Sequence, residues 1–391
     1  MSWFHWENIM LEKQPPFPFI NPIPRSANSD MDYFLLYSNC VLVKGAHRAT
    51  LCDLQKGAVY FIPKPLADLF LEDQAVDLVQ LREKTEGDMV LFLMEIIDSL
   101  VENQLGFYTN QQEWKRFPAL NKEWLFPAHI SHCILDTATG RLDYFTESFV
   151  EQLSKLCCNF VQLRFFGIPP IEHLENILRL ITGSQIKSVE ILMPWNTAYE
   201  SGCTYGKWIN DYKKISSLVC WGAPSTCVVK EGARAMGYLL YTSEQINAAT
   251  HCGIIDQGMF STNITTYTES LNFNSCLNRK ISIDIQGDVK NCPSMKESYG
   301  NIGDTTLVEA IGKPGFKKYW NITKDQVSIC KDCEFRHVCT DCRAYLEDPG
   351  DVYSKPLKCG YDPYICEWAE WSTHPLKQKG INFYGLEKPA F

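Results

Sequence analysis

Residues 330–366 read CKDCEFRHVCTDCRAYLEDPGDVYSKPLKCGYDPYIC, and this stretch holds six of the seventeen cysteines of the 391-residue chain. It contains two C-x2-C pairs, in which a short turn lets two thiolates converge on one metal centre. Two more cysteines lie upstream in the order C-x10-G-x4-C. Eight thiolates are enough for roughly two four-sulfur sites. The predicted metal ligands are Cys276, Cys292, Cys330, Cys333, Cys339, Cys342, Cys359 and Cys366.

Disulfide bonds are the alternative to metal at these cysteines. No secretory hydrophobic segment follows Met1, and C-x2-C pairs in a reducing compartment favour metal or redox roles. We therefore expect the thiols to be reduced and available to a metal. Zinc and iron both use four-thiolate sites, so the spacing of the cysteines does not separate the two.

The cysteine order resembles a known domain. Cys276, Gly287 and Cys292, followed by C-x2-C-x5-C-x2-C and a last cysteine, are similar to the SPASM domain of radical SAM enzymes that mature ribosomally made peptides. One spacing departs, because two residues separate Cys339 and Cys342 where the family has three. The surrounding sequence resembles a narrower group, the SPASM-domain maturases of grasp-with-spasm systems. Such proteins are thought to be encoded beside an ATP-grasp ligase and a small precursor peptide.

The resemblance implies two [4Fe-4S] clusters, with two Zn²⁺ ions as the alternative, and it implies how the cysteines divide. One centre takes Cys330, Cys333, Cys339 and Cys359, and the other takes Cys276, Cys292 and Cys342. Family members often use an extra upstream cysteine as the fourth ligand, but the position six residues before Cys276 is Ser270. A water, a substrate or Cys366 therefore remains for that position.

The composition is that of a globular protein. The chain is long enough for about two or three packed domains, and 45% of its residues are hydrophobic. The formal net charge of −9, without any block rich in lysine and arginine, argues against a nucleic-acid partner. The apolar run from Met89 to Ile97 contains Glu95 and is too short to span a bilayer. We expect a cytoplasmic protein with no membrane partner.

The N-terminal third divides into two parts. Residues 1–30 are rich in proline and aromatic residues and predict a loosely ordered extension. Residues 31–112 predict an antiparallel meander of three strands, at 40–43, 48–54 and 58–62, followed by helices at 65–71 and 76–84. Gly87 then opens a longer amphipathic helix, whose apolar stripe we expect to pack on the meander.

This second part resembles the winged-helix-like recognition element of peptide-maturation systems, which binds a leader peptide as an added strand. An open sheet edge offers unpaired N–H and C=O groups that an extended peptide can satisfy. The resemblance places this edge on the third strand, with the helix 87–103 as the opposite wall. A plain structural cap on the core is the alternative. The predicted peptide-binding residues are Gly57, Val59, Tyr60, Phe61 and Ile62.

Strands alternate with helices in residues 118–270. Short apolar runs at 129–135, 160–166, 188–193, 217–221 and 237–241 predict the strands, and 145–157 and 171–181 have helical spacing. Thr146 is the expected N-cap of the first helix. Alternation of this kind predicts a parallel sheet with right-handed crossovers, and hence a partial α/β barrel. The resemblance predicts the same radical SAM-like barrel, with residues 271–391 as the cysteine-rich SPASM domain.

The motif that binds S-adenosylmethionine is missing. A radical SAM enzyme carries C-x3-C-x2-C after its first barrel strand, whereas the loop here is Asp136-Thr137-Ala138-Thr139-Gly140. We therefore expect no S-adenosylmethionine. The sequence also lacks a Walker A loop, a GxSxG elbow, an HExxH motif and a GxGxxG fingerprint. The remaining scattered cysteines are expected to be small buried residues, namely Cys157, Cys158, Cys203, Cys220, Cys227 and Cys252.

These features predict an accessory protein of peptide maturation. It binds the leader of a ribosomally synthesised precursor through residues 31–112 and presents the peptide to an ATP-grasp ligase, a partner that the resemblance alone implies. The metal sites then serve as scaffold, because metal-binding energy becomes folding energy. The alternative is an iron–sulfur enzyme or electron carrier that modifies the peptide without S-adenosylmethionine. A redox-sensing adaptor is a third possibility, and whether the chain is catalytic stays open.

Overall fold

The computed structural model describes residues 31–72, 74–229 and 237–386, so the extension predicted for residues 1–30 lies outside the described residues. The fold is mixed α/β. Its largest element is an eight-stranded, mostly parallel sheet, and two smaller antiparallel sheets precede that sheet in the chain. No helix in the described ranges is long and apolar enough to cross a membrane.

The predicted meander is confirmed as an antiparallel sheet in which β3 lies between β2 and β4. The turn before β4 is built by Asp53, whose Oδ1 accepts from the backbone N–H groups of Gln55 and Lys56, and by Gly57 at φ +71°. An L-residue with a side chain rarely adopts that φ value. The strands are β2 (Cys40–Lys44), β3 (Arg48–Asp53) and β4 (Ala58–Pro63).

A second antiparallel sheet lies beside the meander, and hydrophobic period does not predict its first three strands. All four of its strands are two to four residues long, too short to show a period. The helix expected from Val76 begins later, since Asp77 caps it by accepting from the N–H groups of Val79 and Gln80. The strands are β1 (Tyr33–Leu36), β5 (Phe70–Leu71), β6 (Ala75–Asp77) and β7 (Gly106–Thr109), in the order β5-β6-β1-β7.

The helices of this region cover one core. The predicted helix after Gly87 is confirmed, and its buried face includes Leu93, Ile97 and Leu100. The expectation that its whole apolar stripe is packed was wrong, because Met89 is 45% exposed and Phe92 is 48% exposed. The helices are α1 (Lys64–Ala67), α2 (Leu78–Lys84), α3 (Asp88–Glu102) and α4 (Gln111–Trp114).

The five strands predicted for the central region are all present in the large sheet. It runs in the order β12-β13-β11-β10-β9-β8-β14-β15, and its pairs are parallel except those that β12 and β15 make at the two ends. The strands are β8 (His132–Thr137), β9 (Phe160–Phe165), β10 (Ser188–Pro194), β11 (Ile215–Trp221), β12 (Cys227–Val229), β13 (Tyr238–Thr242), β14 (Lys280–Ile283) and β15 (Val289–Lys290).

This sheet is open in the part of the chain that the structure describes, with β12 and β15 as its two edges. Its strand β14 comes from beyond residue 270, so the cysteine-rich region and the sheet share an element. Thr146 occupies the predicted N-cap position of α5, but its side chain makes no capping bond. The helices are α5 (Glu147–Lys155), α6 (Ile171–Thr182), α7 (Thr197–Ser201), α8 (Thr204–Asp211), α9 (Ile264–Asn272), α10 (Leu307–Gly312) and α11 (Gln378–Tyr384).

The region between α10 and α11 consists mostly of turns. Its two short strands, β16 (Tyr361–Asp362) and β17 (Glu367–Trp368), pair antiparallel. Polar side chains tie the turns together. The Lys377 ammonium, for example, donates to the backbone oxygens of Leu357 and Cys359, at 2.8 and 2.7 Å. Hydrogen bonds to main-chain carbonyls therefore help to hold a region with little regular secondary structure.

Candidate functional site

Four of the predicted ligands surround one cavity. Cys330, Cys333, Cys339 and Cys359, which we call the first cysteine group, all line a space of about 20 Å³. On the same measure, one water molecule needs about 10–15 Å³. The turn at Cys330 follows Ile329, whose φ is +65°. Residues other than glycine rarely adopt this backbone conformation, so tertiary contacts must hold the turn in place.

Basic side chains accompany these sulfurs. Lys324, Arg336 and Lys355 line the same cavity, and the Nζ of Lys324 lies 3.0 Å from the Sγ of Cys339. Burial opposes the charge on Lys324, but Cys339 and Cys330 in their thiolate form outweigh burial and raise its pKa. Three cations around four thiols fit a group that binds as an anionic tetrathiolate.

Burial also governs protonation of the thiols. It raises the pKa of Cys330 to about 12 and that of Cys339 to about 11, although Lys324 acts in the opposite direction on both. As free thiols these groups are protonated at neutral pH. Binding of a metal at the first cysteine group would therefore release protons, as thiolate ligation requires.

A second set of buried cysteines gathers from four separate segments. Cys252, Cys276, Cys292 and Cys342, the second cysteine group, are each less than 10% exposed. Burial is the main cause that raises the pKa of Cys252, and charges on the three other sulfurs raise it further. Burial likewise raises the pKa of Cys292 to about 11, with Cys342 as the next cause. The four sulfurs are thus electrostatic neighbours.

Cys252 is the member that the sequence did not identify. It was expected to be a small buried residue, and burial is confirmed, but its neighbours are three predicted ligands. The next residue, Gly253, has φ +84°, and a Cβ there would lie 2.9 Å from the Sγ of Cys342. Only glycine fits so close to that sulfur. Cys252 stands 24 positions before Cys276, whereas the extra cysteine of the family would stand at the position of Ser270. The only signal in the sequence is a cysteine outside the family pattern that is followed directly by glycine.

Cys366 belongs to neither group, although it packs against the apolar cluster that contains Cys339 and Cys359. Its Sγ is 3.9 Å from Glu334 Oε1 and 4.0 Å from the backbone oxygen of Pro363. Three of the scattered cysteines also differ from expectation, because they are exposed instead of buried. Two of these three, Cys157 and Cys203, adopt positive φ values at helix boundaries that turn them outward. The exposed cysteines are Cys157, Cys203 and Cys227.

The second cysteine group faces the carboxyl ends of the parallel strands. Asp136 at the end of β8 forms a two-bond pair with Arg164 at the end of β9, with both N–O distances at 2.6 Å. The side chains are 1% and 4% exposed. Burial opposes the charge of Arg164, but Asp136 and then Cys252 and Cys292 raise its pKa. This ion pair links the ends of β8 and β9 at the carboxyl edge of the sheet.

The predicted peptide-binding residues lie on an edge strand. β4 pairs with β3 on one side, and no strand of the described residues pairs with its other side. Val59 and Ile62 point inward, at 5% and 0% exposure. The Phe61 ring lies 3.6 Å below the Arg48 guanidinium. Backbone groups and partly buried rings are therefore what β4 offers a ligand.

The same arginine connects the meander to the first cysteine group. Arg48 Nε donates to Glu334 Oε1 at 2.8 Å, and Thr50 Oγ1 donates to the Glu334 backbone oxygen at 2.7 Å. Tyr361 also donates to Glu334 Oε1. Because Glu334 follows Cys333 directly, the predicted peptide-binding sheet contacts the turn that carries a predicted metal ligand.

Comparisons with known proteins add no identification. A scan against protein-family models finds no match to this chain, and a search of curated proteins finds none either. Within the described ranges, no group of three or more histidine, cysteine, aspartate or glutamate side chains is placed to hold a single metal ion. The cysteines of the first group nevertheless enclose a shared cavity.

Proposed function

We propose that this chain is an accessory protein of ribosomal peptide maturation, which binds the leader of a precursor peptide and presents the peptide to an ATP-grasp ligase. The observation that carries the proposal is the junction of edge strand β4 with the first cysteine group through Arg48 and Glu334. A leader-binding sheet and a metal-stabilised loop region then form one unit. The resemblance to SPASM-domain maturases supplies the ligase and the precursor.

The open edge of β4 supports leader binding. A peptide added there as a strand satisfies the outward N–H and C=O groups of β4, and such pairing is sequence-tolerant. We assign the opposite wall to α3, which exposes the apolar side chains of Met89 and Phe92 at 45% and 48%. Side chains of the leader that contact this wall give the binding its selectivity.

The metal centres in this proposal are two [4Fe-4S] clusters, with two Zn²⁺ ions as the alternative. The first cysteine group holds one, and Cys252 joins Cys276, Cys292 and Cys342 around the other. When bound, each centre supplies cross-links between loops that have little regular secondary structure, and a cluster also supplies an electron-transfer group. Lys324 holds positive charge beside one sulfur and offsets the negative charge of the thiolates.

Leader binding is tested by titrating a labelled precursor peptide, of the kind that the resemblance implies is encoded beside this chain, into protein purified without oxygen. Phe92→Asp places a charge on the apolar wall and is expected to weaken binding by about tenfold or more. Leu376→Asp is the matched control, because Leu376 is 85% exposed on the turn before α11. Equal affinities for the two variants, or no binding by the unmodified protein, would overturn the proposal.

Metal and acid-labile sulfide content identifies the centres. About eight irons with matching sulfide per chain correspond to two cubane clusters. About two zincs without sulfide correspond to two closed four-thiolate sites. Visible and electron paramagnetic resonance spectra before and after dithionite then report whether the iron is redox-active.

An iron–sulfur enzyme that acts without S-adenosylmethionine is the second candidate. The position of the second cysteine group favours it, because Cys252 and Cys292 lie near Arg164 at the carboxyl edge of the sheet, where α/β enzymes bind substrates. Cys292→Ser separates the two candidates. A folded variant that binds the precursor but yields no product supports the enzyme, whereas a misfolded variant supports the scaffold.

A further inference from the structure

A cleft outside both cysteine groups has the size of a ligand site. It lies between residues 254–257 and residues 368–372, and its volume is about 510 Å³. Small-molecule sites in proteins have volumes of about 300–1,000 Å³. Its two walls are joined at their base, where Ile255 bridges in parallel to Cys359 and the Ile255 N–H donates to the Lys358 oxygen at 3.1 Å.

The lining of this cleft is aromatic and acidic. Trp368 and Trp371 lie on one wall together with Glu370, and Asp256 lies on the other wall. No lysine or arginine is among the described residues that line it. Indole rings attract cations through their negative faces, and nearby carboxylates attract cations by their full negative charge. Such a lining selects a positively charged ligand.

The two tryptophans are not equivalent for a cation. The Lys358 ammonium already lies 5.6 Å from the Trp371 ring, where it also donates to the Cys252 oxygen at 2.8 Å. A second cation at Trp371 meets like charge. Trp368 is 36% exposed, and rings support it from behind, with Tyr361 at 4.9 Å and Phe260 at 6.3 Å between centroids. Trp368 is therefore the ring on which a cation rests.

A continuous series of rings connects the cleft to strand β4. Phe61 on β4 lies 6.0 Å from Phe335, Phe335 lies 5.1 Å from Tyr361, and Tyr361 contacts Trp368. Ile255 and Trp368 line both the cleft and the cavity of the first cysteine group. The strand to which we assign peptide binding and the cleft are therefore parts of one packed region.

We propose that this cleft binds a lysine or arginine side chain of the precursor peptide, with the cation on Trp368 between the carboxylates of Asp256 and Glu370. The inference rests on the proposed function for the identity of the ligand as a peptide. It adds a second anchor point beyond the leader strand, and it specifies the chemistry of the residue that the peptide must carry.

The test uses a small probe, Nα-acetyl-lysine N-methylamide, and its neutral counterpart, Nα-acetyl-norleucine N-methylamide. Binding to the metal-loaded full chain is followed by saturation-transfer difference NMR on the side-chain methylene protons. The lysine probe is expected to bind saturably and at least about fivefold more tightly than the norleucine probe. Trp368→Leu is expected to remove that preference, and Trp368→Phe to reduce it.

Charge variants sharpen the result. Glu370→Gln keeps an acceptor for the Ser372 N–H, which Glu370 Oε1 binds at 3.0 Å, and is expected to weaken lysine binding about threefold or more. Glu151→Gln makes the same charge change at an exposed position of α5 and is expected to have no effect. Equal binding of both probes, or equal weakening by both variants, would overturn the inference.

The failure of this inference is distinguishable from failure of the proposed function. The precursor titration with Phe92→Asp measures peptide binding at the apolar wall of α3, whereas the probe titration measures cation binding at Trp368. Precursor binding without preference for the lysine probe overturns the cleft alone. A lysine preference in a protein that does not bind the precursor overturns leader recognition and leaves a cation site.

Discussion

The two cysteine groups differ in how the chain builds them. The first uses Cys330, Cys333, Cys339 and Cys359, which fall within thirty residues of sequence and line one cavity on neighbouring turns. The second draws Cys252, Cys276, Cys292 and Cys342 from four segments spread over ninety-one residues. One group is therefore local and the other is a product of tertiary structure.

Their charged neighbours differ as well. In the first group the Lys324 ammonium contacts a sulfur directly, at 3.0 Å. In the second group Lys358 donates to the backbone oxygens of Thr250 and Cys252 instead. An arginine–carboxylate pair flanks each group, with the pair of Arg48 and Glu334 partly buried and the pair of Arg164 and Asp136 almost fully buried. An ion pair thus lies beside the loops of the first group, and another lies at the sheet edge beside the second group.

The largest expected effect separates Cys252 from Cys366. If Cys252 completes the second centre, Cys252→Ser loses about half of the bound metal, because one of two four-thiolate sites loses a ligand. Cys366→Ser is the matched control and retains all of it, since Cys366 does not line the cavity of the first group. Metal and sulfide analysis of protein purified without oxygen measures both. Full metal content in Cys252→Ser would show that Cys252 is not a ligand of the second centre.

The next effect concerns the cation at the first group. Lys324→Met removes a positive charge from beside Cys339. The reduced centre is more negative than the oxidised centre and therefore loses more electrostatic stabilisation. The reduction potential of the first centre is expected to fall by tens of millivolts. Lys324→Arg should restore part of the shift. Lys358→Met is expected to leave the potential of the first centre unchanged. Redox titration followed by electron paramagnetic resonance measures the potentials, and equal shifts in both methionine variants would contradict the assignment.

The two ion pairs should differ in their contribution to stability. Asp136→Asn leaves the nearly inaccessible Arg164 without its counter-charge and is expected to cost about 3–5 kcal/mol of unfolding free energy. Arg48→Met is expected to cost less, about 1–3 kcal/mol, because Arg48 is 23% exposed and Tyr361 still donates to Glu334. Urea unfolding of metal-loaded protein measures both losses. A larger loss in Arg48→Met would reverse the comparison.

The smallest effect is a pH dependence at the amino end of the large sheet. Burial lowers the pKa of His132 well below 6.5, and the ring stacks on Phe160 at 4.9 Å. The unfolded chain binds a proton as pH falls below 6.5 while folded His132 does not, so stability falls toward acid pH. Between pH 7.5 and 5.5 the loss is about 1 kcal/mol.

His132→Phe keeps the stacking and removes the titration, so its stability should change less over this pH range. Urea midpoints of both proteins at the two pH values measure the difference. Identical pH slopes would show that His132 titrates alike in the folded and unfolded chain.

Much of the architecture was predictable from local pattern. The five strands of the central region and the start of α3 at Gly87 follow from periodicity and from a glycine at φ +59°, which are properties of short segments. The strands β1, β5 and β6 were missed because two to four residues show no period. The exposure of Cys157 was missed because its positive φ depends on how α5 ends.

The functional regions divide in the same way. The sequence by itself determined the C-x2-C turns, the edge strand β4 and the alternation of the large sheet, because spacing and hydrophobic period act between neighbours in the chain. Tertiary structure alone decided that Cys252 joins the second group, that Arg164 pairs with Asp136, and that two tryptophans meet Asp256 across a cleft. Those partners are distant in sequence, and only packing brings them to a common surface.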